Sequence, residues 1–318
     1  MTLYITRRLP EPALSAIPAD LVWKMWPESG TPIPRDELLR AVAGVEALVA
    51  LVSERVDEAL LTAAPRLRVV ANMAVGVDNI DLAACRARGV IVTNTPDVLT
   101  ETTADLAWAL LLAAARRVVE GQKLIEAGGW GAWHPLFMTG QDVHGATLGV
   151  IGAGRIGGAV LRRGAGFGMR LLYHNRRPSA ALEAATGAAY RDLDALMAES
   201  DHVVVCAPLT AETRGLIGAR ELALMKPTAV FVNVARGPVI DEAALIAALR
   251  AGRPWAAGID VFEREPITPA HPLLALPNVV ATPHVGSATV QTRIAMARLA
   301  VANALAVLRG DAPLTPVG

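Results

Sequence analysis

The chain contains 318 residues, of which 53% are hydrophobic and 19% are charged, and its 30 basic side chains balance 30 acidic ones. Intrinsic disorder needs low hydrophobicity and high net charge, and nucleic-acid binding usually needs a basic excess, so the composition excludes both classes. At roughly 150 residues per domain, the length predicts about two domains.

The mean hydropathy of +0.39 raises the question of a membrane span. The longest apolar run, residues 106–115, is only ten residues long, whereas a membrane-spanning helix needs about 20. The first residues lack the basic start, apolar middle and small-residue cleavage site of a signal peptide. The two cysteines, Cys85 and Cys206, have no metal-ligand spacing and are interpreted as buried thiols. We therefore expect a cytoplasmic protein with neither a membrane span nor a metal site.

Short apolar runs recur along the chain and predict two series of strands. The first series comprises residues 3–6, 21–26, 47–51, 68–73 and 90–93. The second comprises residues 147–151, 170–174, 202–206, 229–234, 256–261 and 278–282. Most runs are continuous rather than alternating, which is typical of parallel strands covered on both faces. Amphipathic segments between them, such as 194–199 and 242–251, complete a βαβα pattern and predict an α/β fold with right-handed crossovers.

A long helix and an irregular segment separate the two series. Residues 100–121 predict one helix, with Thr100 and Thr102 near its start and Gly121 at its end. Residues 128–140, GGWGAWHPLFMTG, are irregular and carry two of the six tryptophans. A final helix is predicted over residues 288–309, after the last strand.

A glycine-rich motif follows the first strand of the second series. Gly152, Gly154 and Gly157 form a G-x-G-x-x-G pattern between strand 147–151 and a predicted helix over 155–166. Such glycines permit a tight turn, a close approach of backbone to a pyrophosphate at the helix N-terminus, and close helix–strand packing. A plain βα turn is the alternative. The predicted dinucleotide contacts in this loop are Gly152, Ala153, Gly154, Arg155, Ile156 and Gly157.

The end of the next strand indicates which dinucleotide fits. An NAD-binding domain usually places Asp or Glu about 20 residues after the glycines, where it holds the ribose 2′-hydroxyl. Here Asn175, Arg176 and Arg177 occupy that place, the first of them 23 residues after Gly152 (175 − 152). Guanidinium groups suit a phosphate. The sequence therefore predicts a preference for NADP(H) over NAD(H), with a solvated basic turn as the alternative.

Polar side chains follow three later strands of the second series. Arg236 follows strand 229–234, Asp260 lies near the end of strand 256–261 with Glu265 beyond it, and His284 follows strand 278–282. The carboxyl ends of parallel strands border the ligand crevice of such sheets. Hydride transfer to a 2-oxo acid needs a cation for the carboxylate, a role for Arg236, and an acid for the developing alkoxide, a role for His284.

Glu265 is expected to hydrogen-bond His284, orient its ring and favour the imidazolium form, while Asp260 is better placed for the nicotinamide carboxamide. The three proposed catalytic residues also have a second interpretation. Taken singly, Arg236 or Glu265 could instead form a structural ion pair, and His284 could be a capping or core histidine.

Seven stretches carry a resemblance that runs through nearly the whole chain. They are AVGVDNID (74–81), TNTPDVLTETTADL (93–106), GVIGAGRIG (149–157), APLTAET (207–213), NVARG (233–237), GIDVFEREP (258–266) and TPHVGSA (282–288). In this order they resemble the D-isomer-specific 2-hydroxyacid dehydrogenases, and above all their glyoxylate/hydroxypyruvate reductase branch.

The resemblance implies site residues in both halves of the chain. It implies Arg236, Glu265 and His284 as the catalytic set, and it implies that Trp133 reaches a neighbouring subunit's pocket in a homodimer. The implied substrate contacts besides Trp133 are Leu51, Val52, Ser53 and the backbone amides of Val75 and Gly76. The implied cofactor contacts outside the glycine loop and Asn175–Arg177 are Thr103, Ala207, Pro208, Thr213, Val234, Ala235, Asp260, Gly286 and Ser287.

The resemblance also implies the domain arrangement. We expect two Rossmann-like or flavodoxin-like doubly wound parallel-sheet domains with an active-site cleft between them. Residues 1–96 plus 287–318 are expected to form a discontinuous substrate-binding domain, and residues 97–286 the NAD(P)-binding domain.

The resulting hypothesis is NADPH-dependent reduction of glyoxylate and hydroxypyruvate to glycolate and D-glycerate. One alternative is another substrate of the same family, such as phosphoglycerate, phosphite or a bulkier 2-oxo acid. Phosphorylated substrates would need extra basic residues, for which Arg7, Arg8 and Arg55 are candidates. The alternative from another class is a non-enzymatic, NAD(P)-sensing interaction protein.

Overall fold

A computed structural model describes residues 2–317. The chain divides into two compact units, the first made of Met1–Leu99 with Ser287–Gly318 and the second of Thr100–Gly286. The first unit is therefore discontinuous in sequence.

Twelve strands and twelve α-helices occur among the described residues. The strands are β1 (Thr2–Ile5), β2 (Val22–Met25), β3 (Ala47–Ala50), β4 (Val69–Asn72), β5 (Ile91–Thr93), β6 (Thr147–Ile151), β7 (Arg170–His174), β8 (Ala189–Tyr190), β9 (His202–Val205), β10 (Val230–Asn233), β11 (Ala256–Ile259) and β12 (Val279–Ala281). The helices are α1 (Glu11–Leu14), α2 (Arg35–Ala41), α3 (Glu58–Ala63), α4 (Leu82–Ala87), α5 (Thr100–Ala115), α6 (Val118–Glu126), α7 (Arg155–Gly166), α8 (Ala180–Thr186), α9 (Leu193–Glu199), α10 (Ala219–Leu224), α11 (Glu242–Arg250) and α12 (Val290–Arg309). Two 3₁₀ turns, Gly237–Val239 and Pro272–Ala275, complete the list.

The first unit contains a five-stranded parallel sheet in the order β2-β1-β3-β4-β5. Every residue of β3 and β4 is buried, which explains why both read as continuous apolar runs. Helix α12 returns from the end of the chain and packs against these two central strands. The order is that of flavodoxin-like doubly wound sheets, with its switch point between β1 and β3.

The second unit contains a seven-stranded parallel sheet in the order β12-β11-β10-β9-β6-β7-β8. Strand β6 lies inside the sheet and the order reverses between β6 and β9, as in a Rossmann fold with one additional edge strand. The prediction of two doubly wound parallel-sheet domains is confirmed. The two-residue edge strand β8 was not predicted, because it is too short to show a pattern.

The prediction of one helix over residues 100–121 is wrong. Helix α5 ends at Ala115, and α6 begins at Val118 and runs past Gly121. The break occurs at Arg117, whose φ of 55° lies in the left-handed region, and whose guanidinium is hydrogen-bonded to Glu120 at 2.9 and 2.6 Å. No helix within residues 2–317 is both long and apolar enough to cross a membrane.

Candidate active site

The glycine motif forms the turn between β6 and α7 in the second unit. Gly152 has a φ of 87°, and a Cβ there would lie 2.4 Å from the backbone nitrogen of Ala207. A Cβ on Gly157 would lie 2.5 Å from the carbonyl oxygen of Gly152. Gly154 is the N-cap of α7, and open space surrounds the position of its missing Cβ. The loop therefore leaves room for a ligand at the positive end of the helix dipole, which suits a pyrophosphate.

The turn after β7 brings two exposed arginines to the same edge of the sheet. Asn175 accepts a hydrogen bond from the backbone N–H of Ala153 at 2.7 Å, which ties this turn to the glycine loop. Arg176 and Arg177 are both exposed, and the positive charge of Arg176 is one of the causes that lower the pKa of Glu212. Their charges are therefore available to an anion beside the glycine loop.

A buried tyrosine that was not predicted from the sequence holds the far end of this turn. The Tyr173 hydroxyl donates to Glu183 at 2.8 Å and accepts from the backbone N–H of Ser179 at 2.6 Å. Burial, together with the neighbouring Glu183, raises the pKa of Tyr173 above its ordinary value, so the hydroxyl stays a donor. The signal was a tyrosine in a strand of otherwise aliphatic residues.

The segment after β9 lies beside Gly152, as the position of Ala207 shows. In this segment the Thr213 hydroxyl donates to the carbonyl of Pro208 at 2.6 Å and accepts from Thr210 N–H at 2.8 Å. Val234 and Ala235 are buried directly after β10, where Ala235 N–H donates to Asn233 at 3.0 Å.

Three predicted catalytic residues lie in the second unit, after β10, β11 and β12. His284 Nδ1 lies 2.7 Å from Glu265 Oε2, and the two side chains are 32% and 33% exposed. The other carboxylate oxygen of Glu265 accepts from the Phe262 N–H at 2.9 Å. The carboxylate is thus fixed on one side, and it fixes the imidazole ring so that Nε2 remains for another partner.

The electrostatics keep Glu265 ionised. Burial alone would raise the pKa of Glu265, but the hydrogen bond and charge of His284, the Phe262 N–H and the charge of Arg236 together lower it. Arg236 is half-buried at the end of β10, and one of its terminal nitrogens donates to the carbonyl of Ala235 at 2.9 Å.

Asp260 organises the turn that carries His284. Its buried carboxylate accepts from the Thr282 hydroxyl at 2.6 Å and from the N–H groups of Val285 and Gly286 at 2.8 and 2.9 Å. Burial raises the pKa of Asp260 even though these three donors and the charge of His284 oppose the rise. His284 itself has a φ of 53°, an unusual value for a residue other than glycine, and this network holds it there.

Two further predicted cofactor contacts adjoin this turn. A Cβ on Gly286 would lie 3.2 Å from the side chain of Thr103 and 3.3 Å from Asp260. Thr103 is buried in α5, and Ser287 begins the segment assigned to the first unit.

A close backbone approach that was not predicted from the sequence brings Arg236 and Glu265 together. A Cβ on Gly237 would lie 1.9 Å from the carbonyl carbon and oxygen of Phe262. Only glycine can stand there, so the end of β10 docks directly on the segment leading to Glu265. The signal was the glycine that follows Arg236 in the NVARG stretch.

The predicted substrate contacts in the first unit follow β3 and β4. Leu51–Ser53 directly follow β3, with Val52 and Ser53 exposed. Below them, the buried Glu54 accepts from Arg7 at 3.0 Å and from Ser53 at 2.7 Å. The turn after β4 carries Val75 and Gly76. Neither of their N–H groups is used in any hydrogen bond among the described residues.

The remaining candidates lie outside these clusters. Trp133 is 79% exposed in the irregular segment of the second unit. Cys85 is buried, Cys206 is partly buried, and both are free. Burial raises the pKa of Cys85 to about 11 and that of Cys206 to about 12. Within residues 2–317, no group of His, Cys, Asp or Glu side chains has the geometry to hold a metal ion.

Comparison with known proteins shows the family. The model of the D-isomer specific 2-hydroxyacid dehydrogenase, NAD binding domain, matches residues 108–286. A glyoxylate reductase of Thermococcus gammatolerans is 49% identical over 319 residues, which cover 99% of this chain and 95% of that protein. The chain belongs to the D-isomer specific 2-hydroxyacid dehydrogenase family, and it is an NAD(P)-binding oxidoreductase.

Solved structures agree with this assignment. The TT0316 protein of Thermus thermophilus matches with a TM-score of 0.93 and 46% identity over 100% of both chains. An NADPH-dependent glyoxylate/hydroxypyruvate reductase of Sinorhizobium meliloti, in complex with NADP and malonate, has a TM-score of 0.86 and 36% identity, covering 100% of this chain and 96% of that one.

Proposed function

We propose that the protein reduces small 2-oxo acids, glyoxylate and hydroxypyruvate first, to glycolate and D-glycerate with NADPH. The observation that carries the proposal is the 2.7 Å pair of Glu265 and His284 beside Arg236, at the carboxyl ends of strands in an NAD-binding domain. The glyoxylate reductases at 49% identity over nearly the whole chain support the substrate class.

The residues of the chain divide the chemistry between them. Arg236 and the N–H groups of Val75 and Gly76 bind the substrate carboxylate, so that the 2-oxo oxygen faces His284 Nε2. When bound, the reduced nicotinamide supplies the hydride that the 2-oxo carbon accepts. His284 gives its proton to the 2-oxo oxygen and is then reprotonated from solvent, so that one proton is consumed per turnover. Glu265 stabilises the imidazolium before transfer and holds the ring throughout.

We further propose NADP(H) over NAD(H) as the cofactor. The loop geometry fits a dinucleotide, since side chains are excluded at Gly152 and Gly157 while the space beside Gly154 is open. Arg176 and Arg177 replace the acidic residue that would select the ribose 2′-hydroxyl, and both are exposed. The Sinorhizobium meliloti reductase in complex with NADP supports the same choice.

The proposal also includes the assembly and the location. The first unit is proposed as the substrate-binding domain and the second as the NAD(P)-binding domain. The exposed Trp130, Trp133 and Leu136, at 60%, 79% and 82%, support a homodimer in which the irregular segment is covered. Free cysteines support the cytoplasm.

A phosphorylated substrate is the second candidate, and the structure gives it less support. Arg7 is buried and paired with Glu54 at 3.0 Å, while Arg55 lies 3.5 Å from Asp57. Of the three arginines proposed for a phosphate, two therefore already face carboxylates.

The test is the initial rate of NADPH oxidation with glyoxylate, hydroxypyruvate, phosphohydroxypyruvate and a bulky 2-oxo acid, each repeated with NADH. We expect the first two substrates with NADPH to give the highest kcat/KM. A preference for the phosphorylated or bulky substrate contradicts the substrate assignment, and a preference for NADH contradicts the cofactor assignment. No turnover with any substrate would favour the non-enzymatic alternative.

A further inference from the structure

The turn that carries Val75 and Gly76 is held through its carbonyl oxygens. Three donors hold three successive carbonyls: Thr95 N–H to Ala74 at 2.8 Å, Asn94 Nδ2 to Val75 at 2.8 Å, and Asn72 Nδ2 to Gly76 at 2.9 Å. In a trans peptide the carbonyl and the N–H of the next residue lie in one plane and point in opposite directions. Holding the carbonyls of Ala74 and Val75 therefore aims the N–H groups of Val75 and Gly76 away from these donors.

Asn94 is in turn held by the C-terminal tail, residues 313–317. Both of its backbone groups pair with Thr315: Asn94 N–H donates to the Thr315 carbonyl at 3.2 Å, and the Thr315 hydroxyl donates to the Asn94 carbonyl at 2.6 Å. Val317 N–H donates to Val92 at 2.8 Å, so the tail runs antiparallel along the edge strand β5. The residue that orients Val75 is thus locked between β5 and the tail.

A fully buried asparagine in α12 fixes the tail. Asn303 accepts from the N–H groups of Leu314 and Thr315 at 2.9 and 3.0 Å. Its amide donates to the Thr315 hydroxyl at 2.8 Å and to the carbonyl of Leu299 at 2.9 Å. All of its polar atoms have partners, which is the condition under which a buried amide is tolerated.

We propose that Thr315 is a positioning residue for the recognition of the substrate carboxylate. Its hydroxyl accepts from Asn303 and donates to Asn94, which donates to Val75, so one continuous line of hydrogen bonds links α12 to the turn that presents the amides. Donors aimed in advance at an anion bind it without reorganisation. The inference rests on the proposed function, which assigns the Val75 and Gly76 amides to the carboxylate.

The test compares Thr315→Val, which removes the hydroxyl and keeps the shape, with Thr315→Ser, which keeps the hydroxyl. For Thr315→Val we expect KM for glyoxylate to rise by roughly 3- to 10-fold, the factor for one lost neutral hydrogen bond, with kcat and the KM for NADPH little changed. Thr315→Ser should restore the wild-type KM. The pH profile should stay unchanged, because the imidazole and its carboxylate are not touched.

Hydrogen exchange provides a readout that does not depend on turnover. In Thr315→Val, amide exchange in the segment 72–79 should be faster than in the wild-type protein. The matched control is Thr2→Val, which removes a hydroxyl bond of 2.7 Å to the Gly44 carbonyl at the amino end of β1 and should leave both exchange and KM unchanged. Asn94→Asp is the second variant: a carboxylate cannot donate to Val75, while both backbone bonds to the tail remain.

Wild-type KM and wild-type exchange in Thr315→Val, or a wild-type KM in Asn94→Asp, would overturn the inference. A wild-type protein that reduces no 2-oxo acid would instead overturn the proposed function, and faster exchange in Thr315→Val would still show that the tail positions the turn.

Discussion

In the second unit, the groups assigned to catalysis are side chains that follow the ends of strands, and each is hydrogen-bonded to a partner in the same unit. In the first unit, the groups assigned to the substrate carboxylate are backbone N–H groups, and their direction is set by asparagine side chains and by a tail more than 200 residues away in sequence, from Asn94 to Thr315. A side-chain site can be weakened one functional group at a time. A backbone site can be changed only through the residues that aim it.

The largest effect is expected from removing the proton donor of the second unit. His284→Ala should lower kcat by roughly 10²- to 10⁴-fold, the usual contribution of a general acid, while NADPH still binds. Stopped-flow turnover and a fluorescence titration with NADPH measure the two quantities separately. His144→Ala, at an exposed histidine of the same unit, is the control. Near-normal turnover in His284→Ala would refute the assignment.

Substitution at a backbone contact in the second unit should lower activity almost as strongly. Gly237→Ala places a Cβ where the Phe262 carbonyl stands, so the segment leading to Glu265 must move. We expect a loss of stability of about 1–3 kcal/mol and a large fall in kcat/KM, measured by thermal unfolding and steady-state kinetics. Gly44→Ala, with open space around the new methyl group, should change neither. Normal activity in Gly237→Ala would show that this approach does not position the catalytic pair.

The arginines after β7 should separate the two cofactors. The double variant Arg176→Ser with Arg177→Ser should lower kcat/KM for NADPH by about 10- to 100-fold, the factor for the loss of one charge-assisted hydrogen bond of about 1.5–3 kcal/mol, and should leave NADH turnover unchanged. Arg66→Ser, a 63% exposed arginine of the first unit, controls for the loss of surface charge. An equal loss with both cofactors would count against recognition of the 2′-phosphate.

The smallest effect is a shift in pH dependence. Glu265→Gln removes the negative charge 2.7 Å from His284, so the alkaline limb of kcat/KM for reduction should move to lower pH by about one unit or more. The pKa of Glu265 is lower in the folded chain than in the unfolded one. Its contribution to stability is therefore present above the unfolded pKa and is lost as the pH falls through the folded pKa. A pH profile that does not move in Glu265→Gln would argue against the pairing.

These two kinds of site also differ in how far the sequence predicts them. Arg236, Glu265 and His284 could be proposed from their places after apolar strands, because the carboxyl ends of parallel strands meet at one edge. The pairing of Glu265 with His284 could be proposed from the same arrangement of strand ends. The direction of the Val75 and Gly76 amides could not be predicted, since it depends on Asn94 and Thr315, which no local pattern connects.

The errors have local causes as well. The segment 100–121 is broken at Arg117, where the sequence has neither glycine nor proline. Arg117 adopts a left-handed conformation that an arginine does not indicate in the sequence. Gly237 looks like a turn residue in the sequence, and only the structure shows that it touches the backbone of Phe262.

The return of α12 to the first unit has a consequence for synthesis on the ribosome. The helix packs against β3 and β4, so the core around these two strands stays incomplete until α12 has emerged. At about 5–20 residues per second, the delay while Thr100–Gly286 is translated is on the order of 10 to 40 s. At the end of this time the second unit has all of its strands and can fold, whereas the apolar faces of β3 and β4 still lack the helix that covers them. The nucleotide-binding unit is thus expected to fold before the first unit, whose two segments flank it in the chain.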